Sequence, residues 1–230
     1  MPKHTYLNRT FFDLQRQKYK AIEEVSVEAQ AVCLKTEDNK LLKIFHSLDS
    51  AKSLSERLEW LKALGAKDDV LSDAIAMPSA LLTGLKRDEV GYVCEPVNEC
   101  TLTQYIKPAK GEKLFKWYYE KTGGIEYRLK IAYSIAARLQ QIHSKGICLV
   151  DICPENTTLQ AFSLEKKAQP SIQFIGADSI SSYTYYAHST GCPRYIDPLV
   201  YQYRTSPSSV SDTFSFAIMM FEMLTTCHPF

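Results

Sequence analysis

The stretch Ile142–Leu159, IHSKGICLVDICPENTTL, carries more structural information than any other part of the chain. Its apolar start and Gly146 indicate the end of a helix followed by a turn. The loop after the turn presents Asp151 and Asn156 in the spacing D-x-x-x-x-N. Asp and Asn are also ordinary turn residues, so this spacing takes its meaning from the segments on either side.

The 230-residue chain has an ordinary composition, and its formal net charge is only +1. This balance predicts no bulk attraction to nucleic acid or to an anionic membrane. The first ten residues are polar and no apolar run approaches ~20 residues, so we expect neither a signal peptide nor a membrane span. Seven scattered cysteines without a C-x-x-C pair are typical of a reduced, cytoplasmic protein.

The first part of the chain is predicted to form strands. Apolar residues alternate with polar ones at Val25, Val27, Ala29 and Ala31, the period of a half-buried strand. Thr36–Lys40 predicts a turn, and Leu41–Phe45 the returning strand. A helix follows, with Asp49 or Ser50 as its cap, Gly65 at its end, and one apolar face formed by Leu54, Leu58, Leu61 and Leu64.

The second part of the chain is predicted to be mainly helical. After an apolar strand at Val90–Val97, apolar residues at helical spacing predict a helix over Ile125–Ser144. Short strands are expected at Thr157–Leu159 and 172–175. Ser211 or Asp212 is expected to begin a last, apolar helix that runs through Leu224. Strands followed by helices predict an α+β chain with two unequal lobes.

The loop quoted first resembles the catalytic loop of protein kinases, H-R-D-x-K-x-x-N. In that family the aspartate, here Asp151, accepts the proton of the substrate hydroxyl, and the asparagine, here Asn156, binds Mg²⁺ on the ATP phosphates. The histidine and arginine positions hold Leu149 and Val150, and the lysine position holds Cys153.

Two further segments extend the resemblance. Residues 191–198, GCPRYIDP, resemble the G-T-P-E-Y-x-A-P segment that closes the activation loop. Residues 211–216, SDTFSF, and the final HPF resemble S-D-V-W-S-L-G and P-P-F. There the aspartate, here Asp212, holds the catalytic loop by backbone hydrogen bonds. The resemblance implies one bilobal protein-kinase-like domain over 1–230, with a small antiparallel-sheet N-lobe at about 19–96 and a partial, mainly helical C-lobe at 97–230.

The resemblance also implies residues that bind ATP. Lys43 in LLKIF matches the strand lysine that binds the phosphates, and Glu95 and Val97 match the hinge whose backbone bonds adenine. Leu41 replaces the alanine that lines the adenine pocket. Cys94 stands at the gatekeeper position, although a buried structural role is the commoner fate of a free cysteine.

A glutamate of the helix after Lys43 should pair with that lysine. Glu56 and Glu59 are both candidates, whereas alignment by the leucine spacing places Arg57 at the expected position.

Two departures from the family pattern bear on catalysis. The segment that should form the Gly-rich phosphate loop, Val25–Cys33, contains no glycine, and backbone N–H groups approach phosphates closely only where side chains do not obstruct them. Gly176 occupies the position of the D-F-G aspartate, the main protein ligand of magnesium. In an extended strand Asp178 would point to the same face as Gly176. Asp178 is therefore either a metal ligand or a turn residue.

The sequence IGADSI around Asp178 is similar to the I-D-x-D-S pattern of a subgroup of bacterial kinase-like domains. The loop VDICPEN is similar to their G-D-I-x-P-x-N. In that alignment Asp178 matches a residue of the subgroup and is a candidate metal ligand together with Asn156.

The chain stops at Phe230, where the family continues with several C-terminal helices. We therefore expect exposed apolar residues on the last helix, at Phe216, Met219, Met220 and Met223, and a surface suited to self-association. Leu199 replaces a glutamate that pairs with an arginine of those later helices.

The functional hypothesis is an ATP-binding pseudokinase that acts through a regulatory protein partner, with impaired or absent phosphoryl transfer. The alternative is an active divergent Ser/Thr kinase that uses ATP and magnesium to phosphorylate a protein substrate, with Asp151 as its base. Lys43, Asp151 and Asn156 support the alternative, whereas Gly176, Cys153 and the glycine-free loop oppose it.

Overall fold

A computed structural model describes residues 6–27, 31–46, 51–95, 100–159, 169–182, 191–202 and 205–230. The chain divides into two compact units. The first comprises 1–72 and 76–96, and the second comprises 73–75 and 97–230. The first unit is rich in strands and the second in helices, which confirms the predicted α+β class.

The first unit is a closed barrel of six strands in the order β1-β2-β3-β4-β6-β5. All neighbouring strands are antiparallel. The strands are β1 Thr10–Asp13, β2 Lys18–Val27, β3 Ala31–Thr36, β4 Leu41–Phe45, β5 Ala80–Thr83 and β6 Val90–Cys94. Helix α1, Ala51–Gly65, and helix α2, Asp69–Ala74, follow β4.

Alternation along the strands places one side-chain set in the barrel core. Leu42 and Ile44 of β4 are fully buried there, beside Leu34 of β3 and Val93 of β6. The turn predicted at Thr36–Lys40 is confirmed, and the backbone N–H of Lys40 donates to the Thr36 hydroxyl at 2.8 Å.

The prediction that Val25 and Val27 face the core is wrong, because both are more than half exposed. The register between β2 and β3 shifts twice, between Ala21 and Glu23 and between Glu24 and Ser26. The buried side chains of β2 are Tyr19 and Ala21, which precede both irregularities. Ala29 and the predicted cap residues Asp49 and Ser50 lie outside the described residues.

The second unit is built around two long helices. These are α3, Gly124–Ser144, and α5, Ser209–Thr225, which contact each other. Two small sheets have the strand orders β10-β9-β7 and β11-β8. Their strands are β7 Cys100–Thr101, β8 Ile147–Cys148, β9 Thr157–Leu159, β10 Ile172–Phe174 and β11 Ser181–Ser182. Short helical segments complete the unit: Leu102–Tyr105, Lys116–Lys121, Pro154–Asn156, Ala177–Ser179 and α4, Pro198–Tyr201.

Arg128 of α3 is completely buried in this unit. Its guanidinium lies over the rings of Trp117 and Tyr118 and donates to the backbone carbonyls of Tyr105 and Met223. Because a buried charge is costly without such partners, Arg128 ties α3 to α5 and to the preceding segments.

The last helix begins earlier than predicted. Ser208 caps it, and Ser208 and Ser211 form a reciprocal capping box. The expectation that its methionines are exposed is also wrong. Met219 and Met223 are fully buried and Met220 nearly so, whereas Phe216 is partly buried. No described helix is both long and apolar enough to cross a membrane.

Candidate active site

The loop that carries Asp151 is held by Asp212 in the first turn of α5. The Asp212 carboxylate accepts the backbone N–H of Leu149 at 2.8 Å and that of Val150 at 2.9 Å. Its Oδ2 also lies 2.9 Å from Nε2 of His143, at the end of α3. Asp212 is almost fully buried, so its charge is compensated by these contacts. Asp212 therefore makes the backbone hydrogen bonds to the Asp151 loop that the resemblance implied.

Asp151 and Asn156 lie together in this loop. The Asn156 side-chain amide donates to Oδ2 of Asp151 at 2.8 Å and to its carbonyl at 3.1 Å. Oδ1 of Asp151 accepts the backbone N–H of Cys192 at 2.7 Å. Pro154 begins the short helix that ends at Asn156, and this turn brings the amide back toward the aspartate. The carboxylate of Asp151 is thus fixed in orientation by two donors.

Gly176 lies beside Asn156 and has a left-handed backbone, with φ at +84°. A Cβ atom placed on it would lie 3.7 Å from Nδ2 of Asn156, so that residue 176 faces the asparagine directly. Of the two alternatives for Asp178, an extended strand or a turn, the structure has the turn. Residues Ala177–Ser179 form a 3-10 turn closed by a hydrogen bond from the Ser179 N–H to the Gly176 carbonyl at 2.9 Å.

This turn changes the expected position of Asp178. Side chains two residues apart share a face in a strand but diverge in a 3-10 helix, which has three residues per turn. In this turn, the side chain of Asp178 therefore does not point the same way as a side chain placed at position 176, which would face Asn156. The carboxylate of Asp178 is partly buried.

In the first unit, Lys43 lies on the face of β4 opposite to the barrel core. Leu41 and Phe45 share this face, and the lysine Nζ lies 5.1 Å from the centre of the Phe45 ring. In the sheet Lys43 is directly opposite Cys33 on β3 and Tyr92 on β6. Lys43 is half-buried. Its strand β4 pairs with β3 on one side and β6 on the other, so the backbone at this position is held in place.

Structural comparison decides which fold these elements form. The chain is similar to vaccinia related kinase 3, with a TM-score of 0.67 and 15% identity over 97% of this chain and 69% of that one. It is similar to the BubR1 kinase domain, with a TM-score of 0.65 and 12% identity over 99% of this chain and 68% of that one. The chain has a protein-kinase-like fold.

A bacterial kinase domain shows the same similarity. A double mutant of the PknI kinase domain of Mycobacterium tuberculosis has a TM-score of 0.62 and 13% identity, over 97% of this chain and 79% of that one. No known family profile matches the sequence, and no curated protein is similar to it. At these identities the kinase-like fold is shown, and the activity has to be argued from the residues.

The hinge of the kinase-like fold is only partly described. Strand β6 ends at Cys94, and the Glu95 side chain pairs with Lys40. Val97, the other predicted hinge residue, lies outside the described residues. Cys94 is buried opposite Leu41, in keeping with a structural role.

The two candidate glutamates of α1 both face solvent. Glu56 lies 3.8 Å from Nζ of Lys52, and Glu59 lies 3.9 Å from Nζ of Lys62. Arg57, which the leucine spacing places at the glutamate position of the kinase-like fold, is partly buried. The two glutamates are thus solvated helix residues with weak ion pairs of the kind common on exposed helices.

The donor set near Asn156 lacks the carboxylate that the kinase family places at position 176. Within the described parts of the chain, no three His, Cys, Asp or Glu side chains converge as metal ligands would. Gly176 supplies no oxygen from a side chain, and the Asn156 amide nitrogen is bonded to Asp151. Because Mg²⁺ in such sites is held by one or two protein oxygens together with phosphates and waters, Asn156 and Asp178 stay the predicted ligands here.

Two cysteines, Cys153 and Cys192, lie beside Asp151, and Cys153 stands where an active kinase has a lysine. At the lysine position, the neighbouring Cys192 thiol and burial both raise the pKa of Cys153. The influence of the Cys153 thiol lowers the pKa of Cys192 to about 7. The position that would carry a permanent positive charge in an active kinase therefore holds a buried, neutral thiol.

Sequence reasoning missed several residues of this site. His143 lies in the quoted stretch, but nothing in its neighbours indicated a contact with Asp212. Cys192 is 41 positions from Asp151, and no local pattern reports a hydrogen bond over that separation. The buried Glu222 accepts the Tyr195 hydroxyl and pairs with Arg194 at 2.8 Å. A charged residue inside the apolar stretch of α5 was the only available signal.

Proposed function

We propose that this chain is a kinase-like domain that binds ATP and a regulatory protein partner but does not transfer phosphate efficiently. In this proposal Lys43 and the hinge backbone at Glu95 and Val97 contribute to nucleotide binding, as the resemblance implies. The domain works in the cytoplasm. The thiol state of all seven cysteines supports that location.

The observation that carries the proposal is the glycine at position 176. Residue 176 faces Asn156, where the kinase family places the carboxylate that binds magnesium. Phosphoryl transfer depends on neutralising charge on the phosphates, so the loss of this ligand removes a large part of the stabilisation. Asp178, in the 3-10 turn that follows, remains the other candidate ligand.

Two further features support impaired transfer. The segment from Val25 to Cys33 lacks glycine, and Val25 and Val27 within it are exposed. Cys153 replaces the lysine that stabilises the transferred phosphate in the family. A phosphate clamp and a fixed cation are therefore both missing from the positions at which the family supplies them.

Restoring the carboxylate tests this proposal. Gly176→Asp and the isosteric Gly176→Asn experience the same left-handed backbone, and both residue types tolerate it. The two variants therefore differ in charge alone. Transfer of radiolabelled γ-phosphate from ATP should stay low in both, because Cys153 and the phosphate loop are unchanged. Strong magnesium-dependent transfer by Gly176→Asp but not by Gly176→Asn would show a dormant enzyme instead.

The second candidate function is an active divergent Ser/Thr kinase. It is favoured by the intact arrangement of Asp212, Asp151 and Asn156, in which the catalytic carboxylate is oriented by two hydrogen bonds. If it is correct, Asp151→Asn abolishes phosphate transfer from ATP, because the amide cannot accept the substrate proton. Glu155→Gln removes a neighbouring exposed charge and serves as the matched control.

The partner surface in this proposal differs from the one expected from sequence. The buried methionines of α5 cannot make contacts between molecules, whereas Phe221 and Phe230 are exposed. In this proposal, self-association through the last helix uses the exposed side chain of Phe221. Sedimentation of the Phe221→Ser variant beside wild type tests this assignment.

A further inference from the structure

A groove in the second unit lies away from the Asp151 loop and has no part in the proposed chemistry. One wall is the short helix Lys116–Lys121 with the residues just before it, and the other wall is the C-terminal end of α5. The lining includes Leu114, Phe115, Tyr118, Tyr119, Leu224 and Thr225. The groove has a volume of about 280 Å³. Pockets that hold drug-sized molecules have roughly 300–1,000 Å³, so this groove suits one or two apolar side chains of a larger partner.

Three apolar side chains of this aromatic groove are exposed to solvent. Phe115 is 70% exposed, and Leu114 and Tyr119 are each 54% exposed. The rings of Phe115 and Tyr119 pack against each other with their centroids 4.8 Å apart, so they form a continuous aromatic surface. Contiguous exposed apolar surface of this kind is typical of a site that binds another molecule.

The base of the aromatic groove is fixed. The Tyr118 hydroxyl donates to the Leu224 carbonyl at 3.4 Å, and the buried Arg128 guanidinium lies 3.9 Å from the centre of the Tyr118 ring. Nε of Arg128 also donates to the Met223 carbonyl of α5 at 3.0 Å. These contacts join the two walls directly. The groove is therefore formed before a partner arrives, and less conformational entropy is lost on binding.

Positive charge surrounds this apolar surface. Residues 107–121 contain five lysines and two glutamates, which give a net charge of +3, whereas the whole chain carries only +1. All five lysines are exposed. Lys113 and Lys116 directly flank Leu114 and Phe115 in the sequence. A side chain that enters the groove is therefore approached by positive charge from the same segment.

The acidic residues of the two walls offset only part of this charge. Glu112 pairs with Lys121, and Glu222 of α5 is buried. Glu120 is exposed on the short helix. A partner with negative charge beside its apolar anchor therefore gains electrostatic attraction at this surface, whereas a basic partner is repelled.

We propose that the aromatic groove binds a short acidic segment of a partner protein, which inserts an apolar side chain beside Phe115 and Tyr119. This inference rests on the partner-binding part of the proposed function and adds the chemistry of the partner; ATP binding does not depend on it. A nucleic acid fits this surface less well, because its affinity comes from many phosphate contacts and the positive charge here is confined to one short segment.

Fluorescence anisotropy with a labelled synthetic peptide tests the apolar contact on the full chain. In this probe, a Phe-Leu pair is flanked on both sides by glutamates. We expect saturable binding that Phe115→Ser weakens about tenfold, or about 1.4 kcal/mol, because the variant removes the exposed ring and leaves the buried base in place. Leu129→Ser is the matched control, since Leu129 is also 54% exposed but lies on α3 and does not line the groove.

A second pair of variants tests the charge. Lys113→Gln should weaken binding of the glutamate peptide roughly threefold at low salt and less at high salt, because salt screens the attraction between exposed charges. Lys67→Gln removes an exposed lysine of the first unit and should leave binding unchanged. A peptide with lysines in place of the glutamates should not bind.

Four results would overturn the proposal. The wild-type chain fails to bind the glutamate peptide, or Phe115→Ser binds it as tightly as wild type does. A peptide with Ala-Ala in place of Phe-Leu binds equally well, which shows attraction by charge alone. A single-stranded oligothymidylate or a phosphatidylserine vesicle binds more tightly than the peptide and loses affinity in Phe115→Ser. Phe115→Ser sediments as a smaller species than wild type, which assigns the groove to a second copy of this chain.

ATP titration of the same samples separates this proposal from the proposed function. Phe115→Ser should bind ATP as wild type does, because the aromatic groove lies in the second unit, whereas Lys43 lies in the first. If wild type binds ATP but not the glutamate peptide, the proposed docking site is wrong and the nucleotide-binding part of the proposed function stands.

Discussion

The carboxylate of Asp212 holds the backbone of Val150 in a left-handed conformation, with a hydrogen bond of 2.9 Å to an N–H whose residue has φ at +68°. This conformation is uncommon for a β-branched residue and costs on the order of 1–3 kcal/mol. Val150 immediately precedes Asp151. The buried aspartate of α5 therefore sets the direction in which the candidate catalytic residue enters the loop.

Removing this carboxylate should destabilise the domain strongly. Asp212→Ala leaves the N–H groups of Leu149 and Val150 without their acceptor in a buried place, and we expect a loss of about 3 kcal/mol in the free energy of unfolding. Chemical denaturation measures it. Thr213→Ala, the next residue on the exposed side of α5, should cost less than about 1 kcal/mol. Similar losses for the two variants would contradict the anchoring role of Asp212.

The hydrogen bond between Glu222 and Tyr195 should contribute more to the free energy of unfolding than the ion pair between Glu222 and Arg194. Glu222→Ala leaves the buried Tyr195 hydroxyl without its acceptor and should cost about 2–3 kcal/mol. The Arg194 side chain is 57% exposed, so Arg194→Ala should cost less than about 1 kcal/mol. Urea denaturation of both variants compares them, and a larger loss for Arg194→Ala would reverse this ranking.

Glu89 should make the first unit sensitive to acid. Burial alone would raise the pKa of this carboxylate, but hydrogen bonds from the Tyr6 hydroxyl and from Lys86 outweigh burial and lower it. A pKa lower in the folded state than in the unfolded state stabilises the protein above the unfolded value of about 4.3. That contribution is lost as the pH falls through the folded pKa.

The matching experiment follows the free energy of unfolding of wild type and Glu89→Gln between neutral and acidic pH. The difference in the free energy of unfolding between wild type and Glu89→Gln should be largest above about pH 5 and should shrink below about pH 4. Glu23→Gln, at an exposed site on β2, is the control and should track wild type. A difference that grows on acidification would show that the Glu89 pKa is raised instead.

The sequence predicted elements best where local chemistry and tertiary packing agree. The Thr36–Lys40 turn and the helix ending at Ser144 lie where predicted, because turn residues and apolar periodicity both specify them. Gly65 does end α1, but the structure adds a second reason for glycine there. A Cβ atom at this position would lie 2.9 Å from Cβ of Met77, a contact that no local pattern reveals.

The predictions failed where contacts distant in sequence decide the outcome. Val25 and Val27 of β2 alternate with polar residues, but both are exposed, and two register shifts against β3 interrupt the regular pairing of this strand. Serine and aspartate near the start of α5 are both good caps. Ser208 takes that role, and Asp212 is used for the Asp151 loop instead. The 3-10 turn after Gly176 likewise depends on a left-handed glycine rather than on strand propensity.

The measurement that tests the central claim most directly is calorimetric titration of ATP into the purified chain, with magnesium and with a chelator. A kinase-like domain that lacks the residue 176 carboxylate should bind ATP with an affinity that changes less than about twofold between the two conditions, since few protein ligands hold the metal. An increase of tenfold or more with magnesium, about 1.4 kcal/mol, would contradict this account. It would show that Asn156 and Asp178 form a working metal site.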